Sequence, residues 1–132
     1  MTKKTKIAFL CSGPPTDRKI WSGTIFKMYE SFLTHNIDVE WIQVNRFTNL
    51  ESKFFLAIEN LHKKIFNRGF NRNHFIAKAF LASKKLQKTL KKSDVDLIFA
   101  PTTIADIAFL KTDKPIIYLN DATFHQLLNY YG

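Results

Sequence analysis

The chain has 132 residues, 45% of them hydrophobic and 13 of them Phe, which implies one folded domain with a real core rather than a disordered polymer. No apolar run reaches the roughly 18 residues of a transmembrane helix. The single cysteine, Cys11, excludes an internal disulfide framework and fits a reducing cytosol. The formal charge of +9 is gathered in one place: Lys53, Lys63, Lys64, Arg68, Arg72, Lys78, Lys84, Lys85, Lys88, Lys91 and Lys92 face only Glu51 and Glu59 between Leu50 and Ser93, while the rest of the chain balances.

In chain order, Lys6-Ile7-Ala8-Phe9-Leu10-Cys11 follows a basic tip and reads as a strand buried on both faces, not as a secretory signal. At its end Cys11 is a core filler rather than a nucleophile. Ser12-Gly13-Pro14-Pro15 breaks the strand, and a loop runs on through Trp21. Ser22-Gly23-Thr24 then opens a helix with Ile25, Phe26, Tyr29, Phe32 and Leu33 at helical spacing. His35-Asn36 closes it, and Asp38 to Val44 alternates as a second strand, with Val39, Trp41 and Ile42 as its core residues.

Asn45 to Asn49 is a polar connection. From Leu50 to Phe66, Phe54, Ile58, Leu61 and Ile65 recur at three- and four-residue steps, the pattern of an amphipathic helix. After a break at 67–71, a second helix runs from about Asn73 to Lys92, with Ile76, Ala79, Phe80, Leu86 and Leu90 on one side and Lys78, Lys85, Lys88 and Lys92 on the other. Val95 to Ala100 is a third strand ending at Pro101, and Thr102-Thr103 caps a short helix from about Ile104 to Leu110. Ile116 to Leu119 is a fourth strand, ended by Asn120-Asp121-Ala122-Thr123, and Phe124 to Tyr131 looks helical.

Strands alternating with helices imply an α/β fold: a Rossmann-like three-layer domain over residues 1–132 with a parallel sheet of about four strands. A doubly wound sheet usually continues past four strands, so another part of a larger protein, or a second copy, is expected to cover the open edge. Ligands of such sheets bind outside the carboxyl ends of the strands, where helix N-termini offer free N–H groups.

Three blocks of the chain resemble family 4 glycosyltransferases, the group 1 transferases. They are the first strand with its long loop into Trp21-Ser22-Gly23-Thr24, the strand Asp96-Leu97-Ile98-Phe99-Ala100-Pro101, and above all Pro115 to Phe124 followed by Tyr130-Tyr131. The resemblance implies the N-terminal, acceptor-binding part of a two-domain GT-B enzyme. That enzyme would be a retaining transferase moving a sugar from a nucleotide-sugar to a glycan or lipid-linked acceptor, with no metal required. The nucleotide-sugar would sit in a C-terminal domain to which nothing in these residues corresponds. By itself the chain is therefore expected to hold an acceptor and no cofactor, and not to transfer sugar.

The resemblance gives Ser22, Gly23 and Thr24 a role facing acceptor and phosphates; a plain helix cap with Trp21 as a hydrophobic staple is the alternative. Asp121 is the candidate catalytic carboxylate, since Asn120 stands where many members carry His and cannot act as a base; Asp121 can equally cap the helix after it. His125 reads as an ordinary surface histidine, and His35, His62 and His74 lie too far apart, without acidic or thiol companions, for a metal site. Lys63, Lys64, Arg68 and Arg72 are candidate contacts to an anionic membrane, with Phe66, Phe70 and Phe75 entering it, against the alternative of a solvated charged face. That places the protein in the cytoplasm, peripheral to the inner face of a membrane. The competing function is a basic nucleic-acid- or membrane-binding module without catalysis. Nucleic acid is disfavoured, because the aromatics fall at helical core spacing and no helix-turn-helix signal appears.

Overall fold

The computed structural model describes residues 4–66 and 75–120. Their elements are β1 (Lys6–Cys11), α1 (Thr24–Thr34), β2 (Asp38–Gln43), α2 (Asn49–Phe66), α3 (Ile76–Leu90), β3 (Leu97–Pro101), the single turn α4 (Ile104–Ile107) and β4 (Ile116–Leu119). All four strands are parallel, in the order β2-β1-β3-β4. The fold is a Rossmann-like α/β domain. The helix expected over Phe124 to Tyr131 lies outside the described residues.

Strand alternation builds two apolar layers. On one face Ala8, Leu10, Ile42, Val44, Ile98 and Ala100 meet Leu86 and Leu90 of α3, with Ile107 and Leu110 packed against them. On the other, Ile7, Phe9, Cys11 and Phe99 meet Ile25, Met28, Tyr29 and Phe32 of α1. Right-handed crossovers produce this split, because the chain leaves β1 in one direction and β2 in the other. Phe9 has no exposed surface, and its ring sits 5.4 Å from Phe99 and 5.8 Å from Tyr29. Burying such a ring contributes about 3 kcal/mol. Cys11 is buried in this layer, and burial pushes its thiol pKa up, which suits a filler and not a nucleophile.

Several boundaries differ from expectation for identifiable reasons. Ser22 and Gly23 precede α1 instead of opening it, because Trp21 (φ 46), Ser22 (φ 53) and Gly23 (φ 83) all turn left-handed. α2 begins at Asn49, where Thr48 and Glu51 form a capping box: the Thr48 N–H donates to Glu51 Oε2 (2.7 Å) and the Glu51 N–H to Thr48 Oγ1 (3.2 Å). α4 is one turn, and Thr103 at its start gives no side-chain cap. Trp41, expected in the core, is exposed on β2, an outer strand of the sheet.

The largest departure concerns α2. Phe54, Leu61 and Ile65 are exposed, and the buried residue is Phe55, which packs on Phe47 (5.7 Å) and Phe75 (6.1 Å). An ion pair from Glu51 to Lys85 of α3 (2.5 Å) fixes the same side inward. On α3, Leu86 and Leu90 are buried as expected, whereas Ile76 and Phe80 are exposed. β4 is the other outer strand, and Ile116–Leu119 are exposed throughout. Among the described residues no helix is long and apolar enough to cross a membrane.

Candidate functional site at the carboxyl edge of the sheet

β2 is added on one side of β1 and β3 on the other, so the switch point of the sheet lies outside the ends of the parallel strands β1 and β3, at Cys11 and Pro101. Two clefts open on this carboxyl edge. The first holds about 440 Å³ and is lined by Arg18, Ser22, Gly23, Thr24, Phe26 and Lys27. A turn in which the Asp17 N–H donates to the Pro14 carbonyl (2.9 Å) brings the loop after β1 back over the start of α1. There the Arg18 guanidinium stacks 4.6 Å from the centre of the Phe26 ring. The first turn of α1 has neither an acidic residue nor a side-chain cap, so the positive end of its dipole opens beside Arg18 and beside Lys27, which is paired with Glu30 (2.7 Å). The arrangement favours phosphate, carboxylate or sugar oxygens.

Gly23 holds the geometry. Its φ of +83° is left-handed, and a Cβ would lie 3.4 Å from the Arg18 carbonyl oxygen. The Thr24 N–H donates to the Trp21 carbonyl and closes the turn. Trp21 lies against the α1 layer of the core.

The second cleft is larger, about 650 Å³, and lies at the ends of β2 and β3 on the opposite face. Asn45, Phe47, Lys53, Phe55, Lys78, Thr102 and Asp106 are among its walls. Asp106 is a buried carboxylate that accepts the Asn45 N–H (3.2 Å). Burial raises its pKa, against the smaller opposing effects of that amide and of Lys78. Asn45 (φ 58) and Thr102 (φ 57) are both left-handed, at the points where the chain leaves β2 and β3. The Ser83 hydroxyl locks the floor, donating to the Asp106 carbonyl (2.7 Å) and accepting the Phe109 N–H (3.1 Å). A perturbed carboxyl in a cleft beside lysines is a functional-site pattern. The sequence signal for it was an acidic residue in the first turn of a helix that follows a strand end.

Of the residues expected at a site, Ser22, Gly23 and Thr24 come together in the first cleft. Asn120 follows β4 at the same edge of the sheet, exposed, and is not among the walls of either cleft. Asp121 and His125 lie outside the described residues, as do Arg68 and Arg72. Lys63 is paired with Glu59 on α2 (2.8 Å), and Lys64 is exposed. Among the described residues no three His, Cys, Asp or Glu side chains gather as metal ligands.

A parallel sheet with helices on both faces defines a Rossmann-like α/β domain, and in such folds the carboxyl edge of the sheet, where both clefts lie, is the usual place for a ligand. Comparison of the chain with protein-family models, curated proteins and solved structures gives no significant match.

Proposed function

We propose that this chain is the acceptor-binding domain of a retaining glycosyltransferase of family 4, working with a donor domain that binds the nucleotide-sugar. The observation that carries the reading is the uncapped start of α1, held open by the left-handed turn at Gly23 and flanked by Arg18 and Lys27. It sits where the resemblance in Trp21-Ser22-Gly23-Thr24 requires an oxygen-rich ligand. The Thr24 hydroxyl and the backbone N–H groups that follow Thr24, whose own N–H is taken by Trp21, would orient acceptor oxygens, and Arg18 would take a phosphate where the acceptor is lipid-linked. Asn120 would exchange hydrogen bonds with a sugar hydroxyl, and Asp121 would supply the carboxylate beside it. The chain supplies acceptor binding; activated sugar comes from the donor domain.

Titration of the chain with oligosaccharides, polyprenyl-phosphate sugars and nucleotide-sugars, followed by ligand-observed NMR, tests this. Binding of the first or second class, lost in Gly23→Val with retention of the folded spectrum, is expected. Binding of nucleotide-sugars alone, or acceptor binding untouched by Gly23→Val, would overturn the reading. The competing non-catalytic basic module predicts no saccharide binding, and salt-dependent retention on oligonucleotides or on anionic vesicles would tell its two forms apart.

A further inference from the structure

We infer that the outward face of α2 docks on an anionic phospholipid bilayer. Leu50, Phe54, Leu61 and Ile65 are 78%, 61%, 58% and 63% exposed. At 3.6 residues per turn they fall within an arc of about 60° and along a line of about 22 Å. Phe55, turned toward the core, is only 5% exposed, so the helix has a buried side and a second, apolar side facing out. A surface helix normally turns its apolar stripe inward and its charges outward. Here the apolar stripe also faces outward, alongside exposed lysines, which suits an element lying in a membrane interface.

Charge selects the partner. Lys53 and Lys64 are exposed on one flank of the stripe. Of the two acidic residues of α2, Glu59 lies on the far side and Glu51 on the opposite flank, and both are engaged: Glu51 with Lys85 (2.5 Å) and Glu59 with Lys63 (2.8 Å), so the carboxylate nearest the stripe is neutralised by a lysine. The stripe therefore meets its partner with positive charge beside it, inside the segment that carries the entire formal excess of the chain. Lipid phosphates complement that charge while acyl chains take the four apolar side chains. A second copy would bring like-charged flanks together, and a nucleic acid would leave the apolar side chains in water. The sequence alone pointed to the tip of the α2–α3 hairpin, of which residues 67–74 lie outside the described residues; the exposed stripe extends the proposed contact along α2. The inference stands independently of the acceptor reading.

Flotation of the full chain with vesicles tests it, using phosphatidylcholine alone and phosphatidylcholine mixed with phosphatidylglycerol. Binding is expected on the mixed vesicles, with strong weakening as salt rises from about 0.1 M to about 1 M, where the screening length falls from about 10 Å to about 3 Å. The double variant Phe54→Ser/Ile65→Ser should lose at least about ten-fold in partitioning with an unchanged circular-dichroism spectrum, because both side chains are already in water in the free protein. Lys53→Glu/Lys64→Glu should lose binding on the mixed vesicles. Hydrogen exchange over residues 49–66 should slow when vesicles are added. No flotation with phosphatidylglycerol, or flotation indifferent to the Phe54/Ile65 change, would overturn the inference. So would an oligomer by light scattering that this double variant converts to a monomer, since the stripe would then bind a second copy.

Discussion

Gly23 and Asp106 are the two residues on which the carboxyl-edge clefts depend, and each responds differently to substitution. At Gly23 the backbone is left-handed, and an alanine methyl would sit 3.4 Å from the Arg18 carbonyl oxygen. Gly23→Ala should therefore cost about 1–2 kcal/mol in urea unfolding and weaken anion binding at the start of α1. An unchanged midpoint would mean that the turn relaxes without strain. Asp106 carries a burial penalty only when ionised. Its folded pKa is raised, so its favourable contribution is complete below the unfolded carboxylate pKa and disappears as pH rises through the folded value. Asp106→Asn keeps an oxygen for the Asn45 N–H and cannot ionise. The variant should melt above the parent protein at pH 7, and the two curves should converge near about pH 4. A gap independent of pH would show that packing, not ionisation, sets the difference.

At the scale of elements, the apolar contact between α3 and α4 is pinned by a buried polar link. Ser83 is fully buried, and its hydroxyl serves the Asp106 carbonyl and the Phe109 N–H at once. Ser83→Ala leaves both backbone groups unsatisfied and should cost about 2 kcal/mol, read as a lower urea midpoint with an unchanged slope. α2 is attached differently. Phe55 and the Glu51–Lys85 pair hold its inner side, and its long apolar stripe gains nothing from the core. In free protein its amides should exchange with solvent well before those of β1 and β3, which hydrogen-exchange mass spectrometry can resolve peptide by peptide. Equal protection across these elements would contradict this account of how α2 is held.

For the whole molecule, the parallel sheet separates three jobs. Its two faces hold the apolar layers, its carboxyl edge carries both clefts, and α2 forms an outer wall whose exposed face is apolar and cationic. On the two proposals, acceptor and bilayer would be met by different surfaces of one core, an arrangement that suits a lipid-linked acceptor.

The strands were legible in the residues themselves. Lys6–Cys11 and Ile116–Leu119 fall where short apolar runs end at turn signals, and alternation in β1 and β3 sends residues to both faces whatever lies there. The turn at Ser22-Gly23 was visible as a glycine before a helical pattern. Its three successive left-handed residues were not, because that conformation is imposed by the path from the β1 loop into α1. The cleft around Asp106 joins residues from the ends of two strands and from α2 and α3, and no local pattern links them. The direction in which α2 faces was also beyond local sequence. Periodicity shows that a helix has an apolar stripe; only the placement of Phe47, Phe75 and Lys85 around Phe55 and Glu51 decided that the stripe would look outward, because burial depends on what the rest of the chain places against each side.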